Sequence, residues 1–214
     1  MEEKKQRMYS PYTLPPIRDT SSGMTLIESV VWVMVFAAAM IALTSSVLYF
    51  YRTSNYAIQQ ASAVSSAQRG IDLMIRTIRE ASYAANGSYP IISLAQNDLK
   101  FYANIDSTVL STQKVHYYLS GTSLIKGVIY ASGDPPVYSG AEATSTLSDN
   151  VRNIAQATNL FAYYDKNGAL MTDLTKIGDV RFVTATLLVD VDPNRSPAPL
   201  TLRSSAAMRN LIGK

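Results

Sequence analysis

Three stretches of different polarity follow one another along this chain. From Ser29 to Tyr51 no charged residue occurs over 23 positions, and the run is apolar all round. As a helix it extends about 34 Å, enough to cross a hydrocarbon layer of about 30 Å. It holds neither Pro nor Gly, and Trp32 near its start with Tyr49 and Tyr51 near its end suit the two interfaces of a bilayer. Beyond Arg52 the pattern becomes one-sided. Ile58, Ala61, Val64, Ala67 or Gln68, Ile71, Met74 or Ile75, and Ile78 recur at three- and four-residue steps. Gln59, Gln60, Arg69, Asp72, Arg76 and Arg79 mostly lie off that stripe. No Pro falls between Met24 and Ser88, and Asn86-Gly87 is a good helix stop. The spacing predicts one helix from about Thr25 to about Ser82, roughly 87 Å long, whose second half needs a covering domain.

The third stretch carries strand signals. Leu99–Ala103 follows the turn residues Gln96-Asn97-Asp98. Lys114–Leu119 and Leu124–Tyr130 flank Ser120-Gly121-Thr122-Ser123 and read as a hairpin. Residues 131–148 read as a loop, and Asp149–Ala157 as a short helix or irregular link. Leu160–Tyr164 and Ala169–Met171 flank the turn signal Asp165-Lys166-Asn167-Gly168. Asp179–Asp190 is the strongest strand pattern, Asp192–Pro197 a loop, and Leu200–Met208 a last strand. The class is α+β: one long helix, then an antiparallel sheet.

Composition and charge narrow the chemistry. At 214 residues the chain holds one domain plus an appendage; about 130 residues follow the helix, enough for one core. The formal net charge is +3 with no block of like charge beyond Lys4-Lys5, weak ground for a nucleic-acid partner. There is no Cys, which removes disulfides and thiol chemistry, and the single His116 argues against a His-dependent hydrolase or zinc enzyme. No Gly-rich phosphate loop, nucleophile elbow or metal-ligand cluster occurs, so no cofactor and no catalysis are expected. His116 reads as a structural or surface residue. Lys4, Lys5, Arg7 and Arg18 favour a cytoplasmic N-terminus, with the C-terminal domain outside. Pro11, Pro15 and Pro16 make residues 1–22 a poor helix. A cleavable secretory signal needs an apolar core of only about 7–15 residues directly behind its basic region. Here the apolar run is longer, and Glu28 stands directly before it.

That carboxylate is the most telling residue. An acid beside a membrane span is costly, about 2.5–3.5 kcal/mol at mid-membrane and less at the edge. Thr25-x-x-Glu28 fits a capping box, in which Glu28 satisfies the positive end of the helix. A second role is pairing with a partner outside the chain.

Gly23 followed by Met24-Thr25-Leu26-Ile27-Glu28-Ser29, and then by the long apolar helix, resembles the type IV prepilin-like proteins. The resemblance implies a pilin-like fold, with a long helix packed on an antiparallel sheet. It implies that a membrane-embedded prepilin peptidase cuts after Gly23 and methylates the new N-terminal residue, Met24. Glu28 is then the glutamate at the fifth mature position. In a filament it pairs with the N-terminal amine of a neighbouring subunit, an interaction that sets register more than stability. More loosely, the stretches 117–124 and 161–168, and the ending Arg209-Asn210-Leu211, are similar to minor pilins and pseudopilins of the PilW/PulJ type. The implied organisation is a cleaved cytoplasmic leader over 1–23, a membrane or filament-core half-helix over 24–51, an amphipathic half over 52–83, and a β-rich extracytoplasmic domain over 84–214.

The implied role is a structural subunit that initiates, caps or decorates a type IV pilus or a type II secretion pseudopilus. Its partners are other pilins, the prepilin peptidase, the inner-membrane assembly platform and cytoplasmic-membrane lipid, with nucleic acid only if the filament takes up DNA. A membrane-anchored binding module or adhesin that never polymerises is the alternative. Two features stand apart. Asp190-x-Asp192-x-Asn194 imitates the first ligands of a calcium loop, yet Arg195 and Thr201 occupy the positions of its Gly and final Glu, so a polar turn is the plainer reading. Gly70, inside the helical stripe, reads as tolerated flexibility or as close packing against a strand.

Overall fold

The computed structural model describes residues 23–106, 108–109, 111–195 and 198–211. The expected leader, with Lys4, Lys5, Arg7 and Arg18, lies outside the described residues apart from Gly23. Helix α1 spans Leu26–Arg79. The chain divides into two compact units, with the boundary inside α1 between Tyr51 and Arg52.

Arg76 and Arg79 close the last turn of α1, where cations complement the helix dipole. Glu80 and Ala81 then donate to carbonyls three residues back, a tightening common at helix ends. The helix stops before the predicted Asn86-Gly87 signal. Ala81 bridges Ala103, and the Ser82 N–H donates to the Tyr102 carbonyl, so pairing with a strand edge displaces further helical turns. Asn86-Gly87 instead forms a separate turn, with Gly87 at φ 81° and Asn86 Oδ1 accepting from the Ser88 N–H.

Eight strands follow: β1 Ile91–Leu94, β2 Asp98–Ala103, β3 Gln113–Ser120, β4 Ser123–Ile129, β5 Ala143–Ser148, β6 Phe161–Tyr164, β7 Phe182–Val189 and β8 Leu200–Ala207. They form two antiparallel sheets, where one was expected. The first is a meander in the order β1-β2-β3-β4-β5, and the second is β6-β7-β8. The β3–β4 hairpin closes with Ser120 opposite Ser123, and Gly121 takes φ 59°. That positive angle at the first turn residue matches the twist of the strands it joins.

Three expectations need correction. The predicted loop at 131–148 contains β5, whose Ala-Thr-Ser-Thr-Leu-Ser sequence is polar and mostly exposed because it is an edge strand. Ala169–Met171 forms a single bridge, Leu170 to Tyr164, on the edge of β6 away from β7, and no strand forms there. The stripe on α1 begins out of phase with the prediction: Tyr56, Gln60 and Ala63 are buried, while Ile58 is exposed. Of the two readings of Asp149–Ala157 the irregular one holds, with positive φ at Asn150 and Ala157 and Val151 bridging Val189.

One core joins the helix to both sheets. Ala67, Ile71, Met74 and Ile78 of α1 pack in a cluster that also contains Phe101 and Tyr117 of the first sheet and Phe161, Tyr163, Val183 and Leu187 of the second. The 95–97 turn fastens one sheet to the other. The Ala95 carbonyl accepts the Tyr163 hydroxyl at 2.7 Å, and Asn97 Oδ1 accepts the Leu160 N–H at 2.9 Å. Gly70 is a close-packing glycine. A Cβ there would sit 3.3 Å from both the Cβ and the carbonyl oxygen of Leu147 on β5.

Candidate functional site

The segment from Gly23 to Tyr51 is exposed at every residue. Its helix is long and apolar enough to cross a membrane, and none of its most apolar window is buried. Trp32 is 60% exposed, Phe36 62% and Phe50 68%, an unusual cost for side chains of that area in water. Two hydroxyls within the segment are turned inward on the backbone. Ser29 Oγ donates to the Leu26 carbonyl at 2.7 Å, and Thr44 Oγ1 to the Met40 carbonyl at 2.8 Å. Such back-bonding satisfies hydroxyls where water is absent.

At the head of this surface, Thr25 Oγ1 accepts the Glu28 N–H at 3.3 Å, and the Ser29 N–H donates to the Thr25 carbonyl at 3.1 Å. Thr25 is therefore the N-cap that its position suggested. The other half of the capping box is not made: among the described residues no hydrogen bond or ion pair engages the Glu28 carboxylate. Glu28 stays in the first turn, where the helix dipole favours an anion. Met24 is 57% exposed, and nothing lies within 4 Å of where a Gly23 Cβ would be. Gly23, Met24 and Glu28 thus form an accessible backbone and an unpaired acid at the start of an apolar surface.

The Asp190-x-Asp192-x-Asn194 loop spends its polar groups on its own backbone. Asp190, buried, accepts the Asp192 N–H through Oδ1, and Asp192 Oδ1 accepts the Asn194 N–H. Arg152 donates to the Asp190 and Val191 carbonyls, and Gln60 Oε1 accepts the Val191 N–H at 3.0 Å. The Arg195 guanidinium lies 5.2 Å from the Tyr56 ring centre. The loop is the seat on which α1 residues 56–60 rest. Among the described residues no group of three or more His, Asp or Glu is placed to hold a metal ion. Asp165 likewise organises a turn, accepting from the Asn167 and Ala169 N–H groups. Chiefly the bond from Ala169 lowers its carboxyl pKa from the ordinary value.

His116 has neighbours that the sequence did not reveal. Its Nε2 lies 2.7 Å from Asp98 Oδ2 and its Nδ1 2.8 Å from Glu142 Oε1, with the Tyr118 ring stacked 4.3 Å away. The β2–β3 register makes Lys100 the partner of His116 and Tyr118 the partner of Asp98, so alternation alone offers a hint of Asp98. Nothing in the spacing marks Glu142, which arrives through the irregular segment before β5.

No protein-family model matches this chain, and no curated protein matches it.

Proposed function

We propose that this chain is a minor pilin or pseudopilin, made as a single-pass precursor in a bacterial cytoplasmic membrane with its β domain outside. The observation that carries the reading is the coincidence, within six residues, of an accessible Gly23-Met24 junction, an unpaired Glu28 and a fully exposed apolar half-helix. Cleavage after Gly23 frees a cationic amine at Met24, the residue that the peptidase then methylates. Glu28 lies four positions further, about 6 Å along the helix axis. That offset lets the acid of one subunit meet the amine of a neighbour displaced along a filament. The apolar half-helix exchanges lipid for the matching surfaces of neighbouring helices, a transfer between two apolar environments that costs little hydrophobic energy. The β domain remains on the surface, as initiator, cap or decoration. The chain contributes no catalytic step, and the work of assembly comes from a separate cytoplasmic ATPase.

Co-expression of the full chain with a prepilin peptidase tests this. The intact mass should fall by the mass of residues 1–23, less the methyl group added at Met24. Glu28→Ala should still be cut but should enter filaments poorly. An uncut chain overturns the reading and leaves a membrane-anchored binding module. Normal incorporation of Glu28→Ala removes the pairing role and leaves Glu28 as a dipole partner alone.

A further inference from the structure

His116 is the sole histidine of the chain and lies on the face of β3 opposite Val115 and Tyr117. Both ring nitrogens are within 2.8 Å of carboxylate oxygens, and the side chain is 14% exposed. Asp98 comes from the first residue of β2, and Glu142 from the last residue before β5. To reach the imidazole, Glu142 lies over Gly127 of β4, the cross-strand partner of His116. Any Cβ at Gly127 would overlap the Glu142 carboxylate. The missing side chain at Gly127 leaves the room in which the acid crosses the strand.

Carboxylates only accept hydrogen bonds. Neutral imidazole has one N–H and one lone pair, so one of these two contacts would set a lone pair against an anionic oxygen. Imidazolium alone donates to both. The other charges facing the ring are Lys100 on β2, with Nζ 3.9 Å from Asp98 Oδ1, and Lys114 on β3, which lines the same hollow. Beta strand β4 presents Gly127 and Ile129 on this side and no charge. The remaining neighbour is the Tyr118 ring.

We propose that Asp98, His116 and Glu142 form a proton-operated clasp. The doubly protonated ring ties the segment entering β5 to β2 and β3; loss of one proton releases the Glu142 arm. Release is local. Tyr138 holds the same excursion independently, accepting from the Ala85 N–H and donating to the Thr112 carbonyl. The freed limb is therefore residues 139–142 and the start of β5, an edge strand. The clasp lies within the β domain and works whether or not the chain polymerises.

Amide hydrogen exchange on the full chain in lipid nanodiscs, at about pH 5.5 and about pH 8.5, reads the clasp. With intrinsic exchange rates divided out, protection over residues 139–146 should fall about tenfold at the alkaline value, the loss of one bond to a charged group. Protection in β7 should not change. His116→Gln and, separately, Glu142→Gln should each abolish the difference while leaving β7 protected. Equal protection at both pH values in the parent protein overturns the proposal. So does an undiminished difference in either variant whose β7 remains protected.

Discussion

The two halves of α1 share one backbone geometry and differ in what their side chains meet. Between Ser29 and Tyr51 the surface is uncharged, apolar all round and exposed throughout. Between Arg52 and Arg79 a single stripe is buried, running Tyr56, Gln60, Ala63, Ala67, Gly70, Ile71, Met74, Ile75, Thr77 and Ile78. A helix covered on one side by a folded domain needs one apolar face and one wet face. A helix that is apolar all round needs an environment that is apolar all round. The buried stripe also contains Gln60 and Gly70, which no hydrophobic count would select. Gln60 is there to accept a backbone N–H, and Gly70 to let β5 approach.

The contrast breaks most sharply under a buried charge. Met74→Asp places a carboxylate at a fully buried position, and we expect a loss of at least about 4 kcal/mol, enough to unfold the β domain. The same substitution at Ile41, which is 68% exposed, should leave the domain's denaturation midpoint unchanged. Circular dichroism of the two variants in detergent compares them directly.

The reverse experiment targets the other half. Val35→Arg should cost membrane insertion about 2.5–3.5 kcal/mol while domain stability stays constant. Membrane fractionation together with a denaturation curve separates these outcomes. A drop in both would mean that the halves do not answer to different surroundings.

Alkaline pH probes the floor beneath the stripe. Burial raises the Tyr117 hydroxyl from 10.0 to about 12. In the unfolded chain the group ionises first, so its contribution is whole below about pH 10 and disappears as pH climbs toward about 12. A shift of that size is on the order of 2–3 kcal/mol. Tyr117→Phe should flatten this part of the stability profile, measured as the denaturant midpoint at about pH 9 and about pH 11.5.

The smallest expected effect isolates the polar anchor. Gln60→Leu leaves the Val191 N–H without its acceptor and should cost about 1–3 kcal/mol. Ile58→Leu, two residues away on the exposed side, should stay within about 0.5 kcal/mol. Equal losses would mean that the phase of the stripe carries no energetic weight.

Legibility followed how local the cause was. The long helix, the Gly121-Thr122 hairpin, the Asp165–Gly168 turn and strands β2, β7 and β8 all come from patterns within a few residues. So do the N-cap at Thr25 and the position of Glu28. β1 escaped because its four residues are too few to display an alternation, and β5 because its polar composition reflects its place at an edge, a place decided only when it pairs with β4 in the folded sheet. The phase of the stripe escaped for a similar reason. Tyr56 and Gln60 are buried by the 190–195 loop, more than 130 positions away, rather than by their own apolarity. Glu142 carried no local signal, because Gly127 and His116 acquire it only once three strands lie side by side.

By itself, the sequence determined where the chain is apolar all round, where it is one-sided and where it alternates. Those periodicities arise from helix and strand geometry, which any stretch of backbone possesses alone. It also set the Gly23–Glu28 head of the helix, whose groups are near neighbours along the chain. The tertiary structure decided the division into two sheets, which polar residues enter the core and which acids face the only imidazole. Each depends on partners that meet only after the loops have closed, and burial, hydrogen bonding and charge act on whatever has been brought within a few ångströms.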